Sequence, residues 1–375
     1  MVSTTEKHLH IVSFDIPWPA NYGGVIDVFY KIKALSLKGI RIHLHCFEYG
    51  REIATELEKY CHSVHYYKRD LSKKHLFKSL PFIVSSRNSD ALNDTLLHDN
   101  YPILLEGLHS CLMLNDIRLK GRKIIVRAHN IEHEYYYHLA QAETDIFKKY
   151  YFHNEARKLR KFENILVRAD SIVAISKKDE KYFASRYSNV VFIPAFHPHV
   201  EVKSKSGKGN YVLYHGNLSV GENRNAVQYL IDNVFNDLDI PLIVAGLNPS
   251  PTLEKSLESL ENARLISNPT DEELFELINN AQVNISITFQ ATGLKLKLLN
   301  TLYNGRFCLV NDQMLSGSAL DELCILANDA ASMKIQIKKL FKRSFSKKEI
   351  ERRRNKLEIL YHNGQNVQKL IDLIG

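Results

Sequence analysis

Short runs rich in valine and isoleucine recur along the chain and alternate with stretches that have the periodicity of amphipathic helices. The runs of the first half are HIVSF (10–14), RIHLHCF (41–47), PILLEG (102–107), KIIVRAH (123–129), SIVAIS (171–176) and VVFIPA (190–195). Those of the second half are YVLYHG (211–216), PLIVAG (241–246), ARLIS (263–267), VNISITF (283–289) and RFCLVN (306–311). Parallel strands are buried on both faces and are joined by crossover helices, so this alternation predicts an α/β fold with parallel sheets.

The chain has 375 residues, a length that favours two domains over one. The stretch EVKSKSGKGN (201–210) has no apolar cluster and is interpreted as a linker. The pattern therefore predicts two Rossmann-like domains, 1–202 and 203–375, whose parallel sheets face each other across a cleft. Ligands of such sheets bind beyond the carboxyl ends of the strands.

Two helical patterns are clear. Val25, Val28, Ile32 and Leu35 recur at helical spacing and Gly39 follows where a C-terminal cap belongs. The basic segment 346–374 is expected to form terminal helices, which can pack back on the N-terminal domain.

Composition limits the location and partners of the protein. No apolar run approaches the roughly 20 residues that a membrane span needs. The N-terminus lacks the pattern of a signal peptide, so a cytoplasmic location is expected.

The five cysteines are scattered along the chain and are interpreted as core residues. The net charge of +8 fits nucleic acid, an anionic membrane or a phosphorylated substrate, but no nucleic-acid motif is present and no such partner is expected.

Paired glycines, Gly23 and Gly24, follow the first predicted strand. They allow a tight turn and leave helix amides open to an anion or a hydroxyl group. The spacing is not G-x-G-x-x-G, which disfavours a dinucleotide site. An ordinary glycine turn is the alternative.

Polar residues also cluster where the strand 123–129 ends, namely Arg127, His129, Asn130, Glu132 and His133. A capping cluster explains Asn130 or Glu132 but explains the arginine and histidine poorly. The His-x-x-x-His spacing lacks the glutamate position of zinc proteases, so no metal is expected.

The neighbouring strand 102–107 ends in a second polar pair, Glu106 and His109. Two strand ends with glutamate and histidine exceed what turns require, and they predict a polar site that faces a cleft.

Two helix starts in the second half carry positive charge where the helix dipole disfavours it. The first follows His215, Gly216 and Asn217 and contains Asn223 and Arg224. A bound phosphate would make this placement favourable.

The second is ATGLKLKLLNTLYNG (291–305), in which Lys295 and Lys297 precede an apolar helical face. A diphosphate over the helix amides explains the lysines. Solvated lysines on a surface helix are the alternative.

These features resemble the retaining GT-B glycosyltransferases of the "glycosyl transferases group 1" class, which is family 4-like. The resemblance rests on the tandem α/β halves, Gly23-Gly24, the HGN segment with its Asn-Arg, and the pattern Gly293, Lys295, Lys297, Leu299, Gly305. It implies a bacterial-type hexosyltransferase of glycan or polysaccharide synthesis. Such an enzyme takes a nucleoside-diphosphate sugar in its C-terminal domain, binds a glycan, lipid-linked or polysaccharide acceptor in its N-terminal domain, and needs no metal or cofactor.

By this resemblance the catalytic residues are His129, Lys297 and Arg224. The donor-binding residues are Gly23, Gly24, Gly216, Asn217, Asn223, Thr292, Gly293, Lys295 and Asn300. The acceptor or cleft residues are Glu106, His109, Arg127, Asn130 and Glu132.

The sequence departs from the family at two glutamates, where it has Gln290 and Asn300. An amide at Asn300 loses a charge-assisted bond to the ribose worth about 1.5 to 3 kcal/mol. A nucleotide-sugar epimerase on the same fold and a degenerate, non-catalytic nucleotide-sugar binder remain alternatives.

Two segments, 66–78 and 147–162, interleave basic and aromatic side chains. This pattern suits peripheral contact with the inner face of an anionic membrane. A solvated helix whose aromatic residues face the core is the alternative.

Overall fold

Two parallel sheets organise the chain in this computed structural model, which describes residues 6–143, 145–289 and 296–375. The first unit runs to Pro198 and takes in Tyr361–Gly375, and the second begins at His199 and ends at Leu360. Each unit has the layered α/β arrangement predicted from the alternating runs.

The first unit contains seven strands in the order β3-β2-β1-β4-β5-β6-β7, all parallel. They are β1 (His8–Ser13), β2 (Arg41–Glu48), β3 (Ser63–Lys68), β4 (Ile103–Glu106), β5 (Ile124–Ala128), β6 (Ser171–Ala174) and β7 (Val190–Phe192). Its helices are α1 (Gly23–Leu37), α2 (Phe82–Ser85), α3 (Asp90–Leu96), α4 (Glu132–Ala142), α5 (Ile146–Phe162) and α6 (Lys177–Ala184).

The second unit contains six parallel strands in the order β10-β9-β8-β11-β12-β13. They are β8 (Val212–Asn217), β9 (Leu242–Leu247), β10 (Ala263–Ser267), β11 (Val283–Ser286), β12 (Phe307–Val310) and β13 (Ile325–Leu326). Its helices are α7 (Gly221–Asn233), α8 (Pro251–Glu258), α9 (Asp271–Asn280), α10 (Leu296–Asn304), α11 (Asp312–Leu315), α12 (Ala330–Phe341) and α13 (Lys347–Tyr361), and α14 (Asn363–Ile374) follows.

All eleven apolar runs identified in the sequence contain strands, and only β3 and β13 lay outside them. β3 is an edge strand in which histidine and tyrosine take the place of valine and isoleucine, and β13 has two residues. The first helix begins at Gly23, and Gly39 adopts φ +79° just beyond its end, as its predicted capping role requires.

Helices cover both faces of the first sheet. On one face α1 and α14 share a core that includes Val28, Ile32, Val367 and Leu370. In the described part of the chain no helix is both long and apolar enough to cross a bilayer.

Both sheets contain a point where the strand order reverses direction, between β1 and β4 in the first unit and between β8 and β11 in the second. The connections leaving two such strands diverge and leave space at the carboxyl edge, where ligands of doubly wound sheets bind. Of the predicted site residues, Glu106 ends β4 and Asn217 ends β8, so both lie at these points.

Candidate functional site

A network of buried charges lies at the switch point of the first unit. Lys31 of α1 places Nζ 2.9 Å from Oδ2 of Asp27 and 2.8 Å from Oε1 of Glu106, which ends β4. All three side chains are fully buried. Burial alone raises the pKa of both carboxyl groups, but Arg127 and Lys31 beside Asp27, and Lys31 and His129 beside Glu106, hold both pKa values below their ordinary range.

Arg127 extends this network across the sheet. Its Nη2 and Nε atoms lie 2.8 and 3.1 Å from the carboxylate of Asp27, and its guanidinium also donates to the carbonyl oxygens of Ile193 and Pro194. With 1% of its surface exposed, Arg127 is placed to support the site rather than to contact a ligand.

His129 belongs to the same network and directly follows β5. Its Nε2 lies 2.8 Å from Oε2 of Glu106. Because the ionised carboxylate of Glu106 can only accept, Nε2 carries the proton and Nδ1 presents a lone pair when the ring is neutral. Nδ1 is buried and has no hydrogen-bond partner among the described residues. The ring packs edge-on against Phe14 at 5.4 Å.

Asp27, Glu106 and His129 together could also be considered as metal ligands, since one ligand atom from each lies within 4.8 Å of the others. Lys31 and Arg127 already neutralise both carboxylates through direct bonds. A divalent ion would have to displace these cations, so the donor set fits an ion network better than a metal centre.

His109 follows Glu106 through Gly107, which adopts φ +71°. A Cβ atom at Gly107 would also lie 2.8 Å from Nδ1 of His109. The turn therefore requires glycine for two reasons, the positive φ and this close contact. Burial and then repulsion by Arg87 lower the pKa of His109 well below its usual value. Its Nδ1 atom is buried without a partner in the described part of the chain.

Glu132, at the start of α4, is 3% exposed, and burial raises the pKa of its carboxyl group to about 7. It lines a small pocket with Asn130 and Glu163, and that pocket is otherwise mostly apolar. His133 instead bonds Glu163 at 3.2 Å and is not directed at the partners of His129. The two histidines do not act as a pair.

Gly23 and Gly24 form the first turn of α1. No side chain caps this helix, and its first turn contains no acidic residue. A Cβ atom at Gly24 would lie 2.7 Å from the ring of Phe14. Glycine therefore permits the close approach of the helix start to the end of β1.

Several predicted donor residues of the second unit lie together at its switch point. Nζ of Lys297 is 2.7 Å from Oδ1 of Asn223 and 3.1 Å from the hydroxyl of Tyr214. Nδ2 of Asn223 donates to the backbone oxygen of Asn217 at 2.8 Å. A Cβ atom at Gly216 would lie 3.1 Å from Nζ of Lys297 and 3.2 Å from the Asn223 amide, so glycine keeps space beside the lysine.

Arg224 lies in the first turn of α7 and donates from Nη1 to the backbone oxygen of Ser219. No carboxylate of the described residues lies within ion-pair distance of it. The helix has no side-chain cap, although Glu222 lies in its first turn. The uncapped helix start and Arg224 thus face the same loop.

Asn300 is half-buried on α10 and accepts from Nδ2 of Asn304 at 2.8 Å. Four other residues singled out in the sequence, Gln290, Thr292, Gly293 and Lys295, lie outside the described residues.

Sequence reasoning missed Asp27, Lys31 and Tyr214. Asp27 and Lys31 are four residues apart on a helix whose apolar positions are buried, and that spacing was an available signal. Their partners Glu106 and Arg127 are far away in sequence, so the ion network could not be deduced from it.

Comparisons with known proteins identify a relative and a fold. The chain is 30% identical over 342 residues to an uncharacterized 44.6 kDa protein in the cps region of Klebsiella pneumoniae, covering 85% of this chain and 87% of that protein. No family model matches the sequence.

Solved structures of similar fold cover nearly the whole chain. TarM, known from Staphylococcus aureus, has a TM-score of 0.72 at 12% identity, with 100% of both chains covered. A glycosyltransferase from Rickettsia africae has a TM-score of 0.66 at 13% identity, covering 99% of this chain and 98% of that one. HepE of Anabaena, solved with UDP and glucose, has a TM-score of 0.65 at 12% identity, covering 98% of this chain and 99% of that one. At these identities the likeness shows the fold alone, which is the GT-B glycosyltransferase fold predicted from the sequence.

Proposed function

We propose that this chain, which belongs to the same family as the 44.6 kDa protein of the K. pneumoniae cps region, is a glycosyltransferase. The proposal is supported by its GT-B fold. It transfers a hexose from a nucleoside-diphosphate sugar to a glycan, lipid-linked or polysaccharide acceptor. The anomeric configuration is retained, and no metal or cofactor takes part.

The observation that carries this proposal is the grouping of Lys297, Asn223 and Gly216 beside the uncapped start of α7. A lysine ammonium and the amides of a helix start suit a diphosphate. The neighbour HepE was solved with UDP and glucose, which supports a nucleotide sugar as the donor.

Negative charge grows on the diphosphate as its bond to the sugar breaks. Positive side chains fixed before the reaction stabilise that charge more in the transition state than in the ground state. We assign this role to Lys297 and Arg224, together with Lys295 and the amides of Thr292 and Gly293. Asn300 takes the position of the family glutamate that binds the ribose.

In the first unit, His129 is assigned a place beside the transferred sugar. Its bond to Glu106 fixes the ring orientation and leaves Nδ1 to accept a hydrogen bond from a sugar hydroxyl. Gly23 and Gly24 allow the start of α1 to approach the donor. Glu106 and Arg127 act as positioning residues, whereas His109, Asn130 and Glu132 are assigned to the acceptor side.

The charges around the site make a metal ion unnecessary. In the part of the chain that the structure describes, the carboxylates grouped closely enough with a histidine to hold a metal are Asp27 and Glu106, and Lys31 and Arg127 neutralise them. The diphosphate is assigned its own cations. Activity should therefore persist in a chelator.

We also propose peripheral contact with a membrane. Ile146, Phe147 and Tyr150 at the start of α5 are 79%, 86% and 74% exposed, and the exposed Lys148 lies among them. A second segment has Phe77 88% exposed beside Lys78. Exposed aromatic rings flanked by lysines suit the interface of an anionic bilayer.

The test of the proposed function is a screen of nucleotide sugars by thermal stabilisation. A ligand at 100 times its dissociation constant should stabilise the protein by about 2.7 kcal/mol. Lys297→Ala should remove the stabilisation, whereas Lys255→Ala, an exposed lysine on α8, should preserve it.

The nucleotide sugar that stabilises the protein is then incubated with it in EDTA, with and without candidate acceptors. A transferase consumes the donor only when an acceptor is present, and NMR of the product gives its anomeric configuration. Conversion of the donor alone into an isomer would indicate an epimerase, and binding without turnover would indicate a non-catalytic binder.

A further inference from the structure

Arg87 is a buried cation held against the end of β1. Its side chain is 7% exposed, with Nε donating to the carbonyl of Phe14 at 2.9 Å and Nη1 to that of Ile83 at 2.6 Å. Within residues 6–143, 145–289 and 296–375, no acceptor is bonded to Nη2. The guanidinium is therefore fixed in place with one amino group left for another partner.

Arg69 places a second guanidinium beside the first. Its Nε atom donates at 2.9 Å to the hydroxyl of Ser86, the residue that precedes Arg87. The guanidinium carbon lies 4.3 Å from the centroid of the Tyr49 ring. Burial and then repulsion from Arg69 lower the pKa of Arg87 to about 9, so Arg87 remains charged at neutral pH.

Neither arginine has a carboxylate within ion-pair distance among the described residues. The buried lysine and arginine side chains Lys31, Arg122 and Arg127 of this unit each have one at 2.8 or 2.9 Å. Asp15 and Glu132 influence Arg87 at longer range, but burial raises the pKa of both carboxyl groups. The site thus has an excess of positive charge that the unit does not neutralise by direct pairing.

A third group at this place has an unmet hydrogen-bonding capacity. The buried Nδ1 of His109 has no partner in the described part of the chain, and its ring lies 5.3 Å from that of Phe14, the residue whose carbonyl holds Arg87. Phe14 thus contacts His109 through its ring and Arg87 through its carbonyl oxygen. After burial, the positive charges of Arg87 and, more weakly, His129 and Arg69 lower the pKa of His109 further.

We propose that Arg69, Arg87 and His109 form a subsite for an anionic group, a phosphate or a carboxylate, carried by the acceptor. Guanidinium groups bind both kinds of anion through paired, charge-assisted hydrogen bonds. The exposed ring of Tyr49 gives an adjoining apolar surface for a sugar. Assigning the anion to the acceptor rests on the proposed function, whereas the anion site itself rests on these side chains.

The test measures binding of small anions and their neutral counterparts by saturation-transfer NMR at constant ionic strength. The probes are glycerol 1-phosphate with glycerol, and methyl glucuronide with methyl glucoside. One anion of the two should bind at least tenfold more tightly than its neutral counterpart, and the identity of that probe distinguishes phosphate from carboxylate.

Arg69→Gln should weaken this binding tenfold or more. It is the primary variant because, among the described residues, the Arg69 side chain donates no hydrogen bond to a backbone carbonyl group, so its loss should disturb the fold less. Arg87→Gln should do the same, and Arg87→Lys, which keeps the charge, serves if the glutamine variant does not fold. Arg157→Gln, an exposed arginine on α5, is the matched control and should bind like the wild type. Equal binding of anionic and neutral probes, or unchanged binding in Arg69→Gln, overturns the proposal.

UDP binding is measured on the same samples. UDP stabilisation without anion binding would defeat this inference and leave the proposed function intact. Anion binding that depends on Arg69, without any nucleotide-sugar binding, would do the reverse. Competition by UDP for the Arg69-dependent signal would assign these arginines to the donor and would count against the acceptor subsite.

Discussion

Nε2 of His129 lies 2.8 Å from the carboxylate of Glu106, while Nδ1 of the same ring is buried without a partner among the described residues. Lys31 contacts the other side of that carboxylate. One imidazole nitrogen is thereby committed to the protein, and the other is directed to whatever binds at the strand ends.

Glu106→Gln tests this orientation. The amide keeps the shape but removes the charge that fixes the proton on Nε2, and it leaves Lys31 with one anionic partner. We expect kcat to fall roughly 10- to 100-fold, the range seen when a partner that orients a histidine ligand is changed. The KM for the donor should change much less, because the diphosphate contacts are assigned to the second unit.

The measurement is a steady-state assay over a pH series, with Glu58→Gln, an exposed glutamate of the same unit, as the control. A purely structural role would reduce the amount of folded enzyme without altering the pH profile. An unchanged profile and kcat per folded molecule would exclude Glu106 as a positioning residue.

Glu132→Gln should stabilise the protein in a pH-dependent way. Burial raises the pKa of Glu132 from 4.5 to about 7, so stability associated with its protonated form is present at low pH and is lost as the pH rises through 7. At 1.36 kcal/mol per unit of pKa, the variant should gain up to about 3 kcal/mol relative to wild type at pH 8 to 9, and little below pH 4.5. Urea unfolding at pH 5 and pH 8.5 gives the two values. An equal effect at both pH values would contradict the shifted ionisation.

A ladder of histidines on β1 and β2 should make the first unit sensitive to acid. Nδ1 of His10 lies 2.8 Å from Nε2 of His45, and His8 pairs with His43 at 2.9 Å. Burial, followed by repulsion from His10, lowers the pKa of His43 to about 4 and that of His45 well below its usual value.

His43 and His45 resist protonation in the fold, so stability should be lost as the pH falls from about 6.5 towards 4. The charged and titratable groups facing the ladder are Asp99, which favours protonation of His10, and Arg122, His62, His65 and Tyr67. His43→Gln should reduce the loss between pH 6.5 and 4.5, measured by the urea midpoint, whereas the exposed His98→Gln should not. A slope unchanged by His43→Gln would assign the acid sensitivity elsewhere.

Membrane contact should depend on the exposed start of α5. Wild-type protein should sediment with liposomes that contain anionic lipid at low salt, and less so at high salt because the lysine contribution is screened. Phe147→Ser should weaken sedimentation severalfold, and Ile117→Ser, at a residue 75% exposed elsewhere in the unit, should not. Equal loss in both variants, or no binding by the wild type, would end this part of the proposal.

Much of the fold could be predicted because the information is local. Runs rich in valine, isoleucine and leucine predicted eleven strands, and the spacing of Val25 to Leu35 with Gly39 predicted α1. The sequence also placed Gly216, Asn217, Asn223 and Lys297 in one site, and the structure brings them together.

What escaped prediction depends on pairing across the fold. The contact of Lys31 with Glu106 joins residues 75 apart, and that of Arg127 with Asp27 joins residues 100 apart. Such partners meet only after the strand order has been established. Likewise, only the fold shows that no carboxylate among the described residues lies within ion-pair distance of Arg69 or Arg87.

The packing of α14 against α1 gives the first unit an unusual order of assembly. During synthesis, the apolar side of α1 emerges early, but Val367 and Leu370 leave the ribosome only after the entire second unit has been made. Until then that surface is open to chaperones and to aggregation. Loss of α14 would leave the same surface uncovered in the mature protein, and a stop codon just before Asn363 should therefore yield a chain that precipitates or is degraded, even though every strand is present.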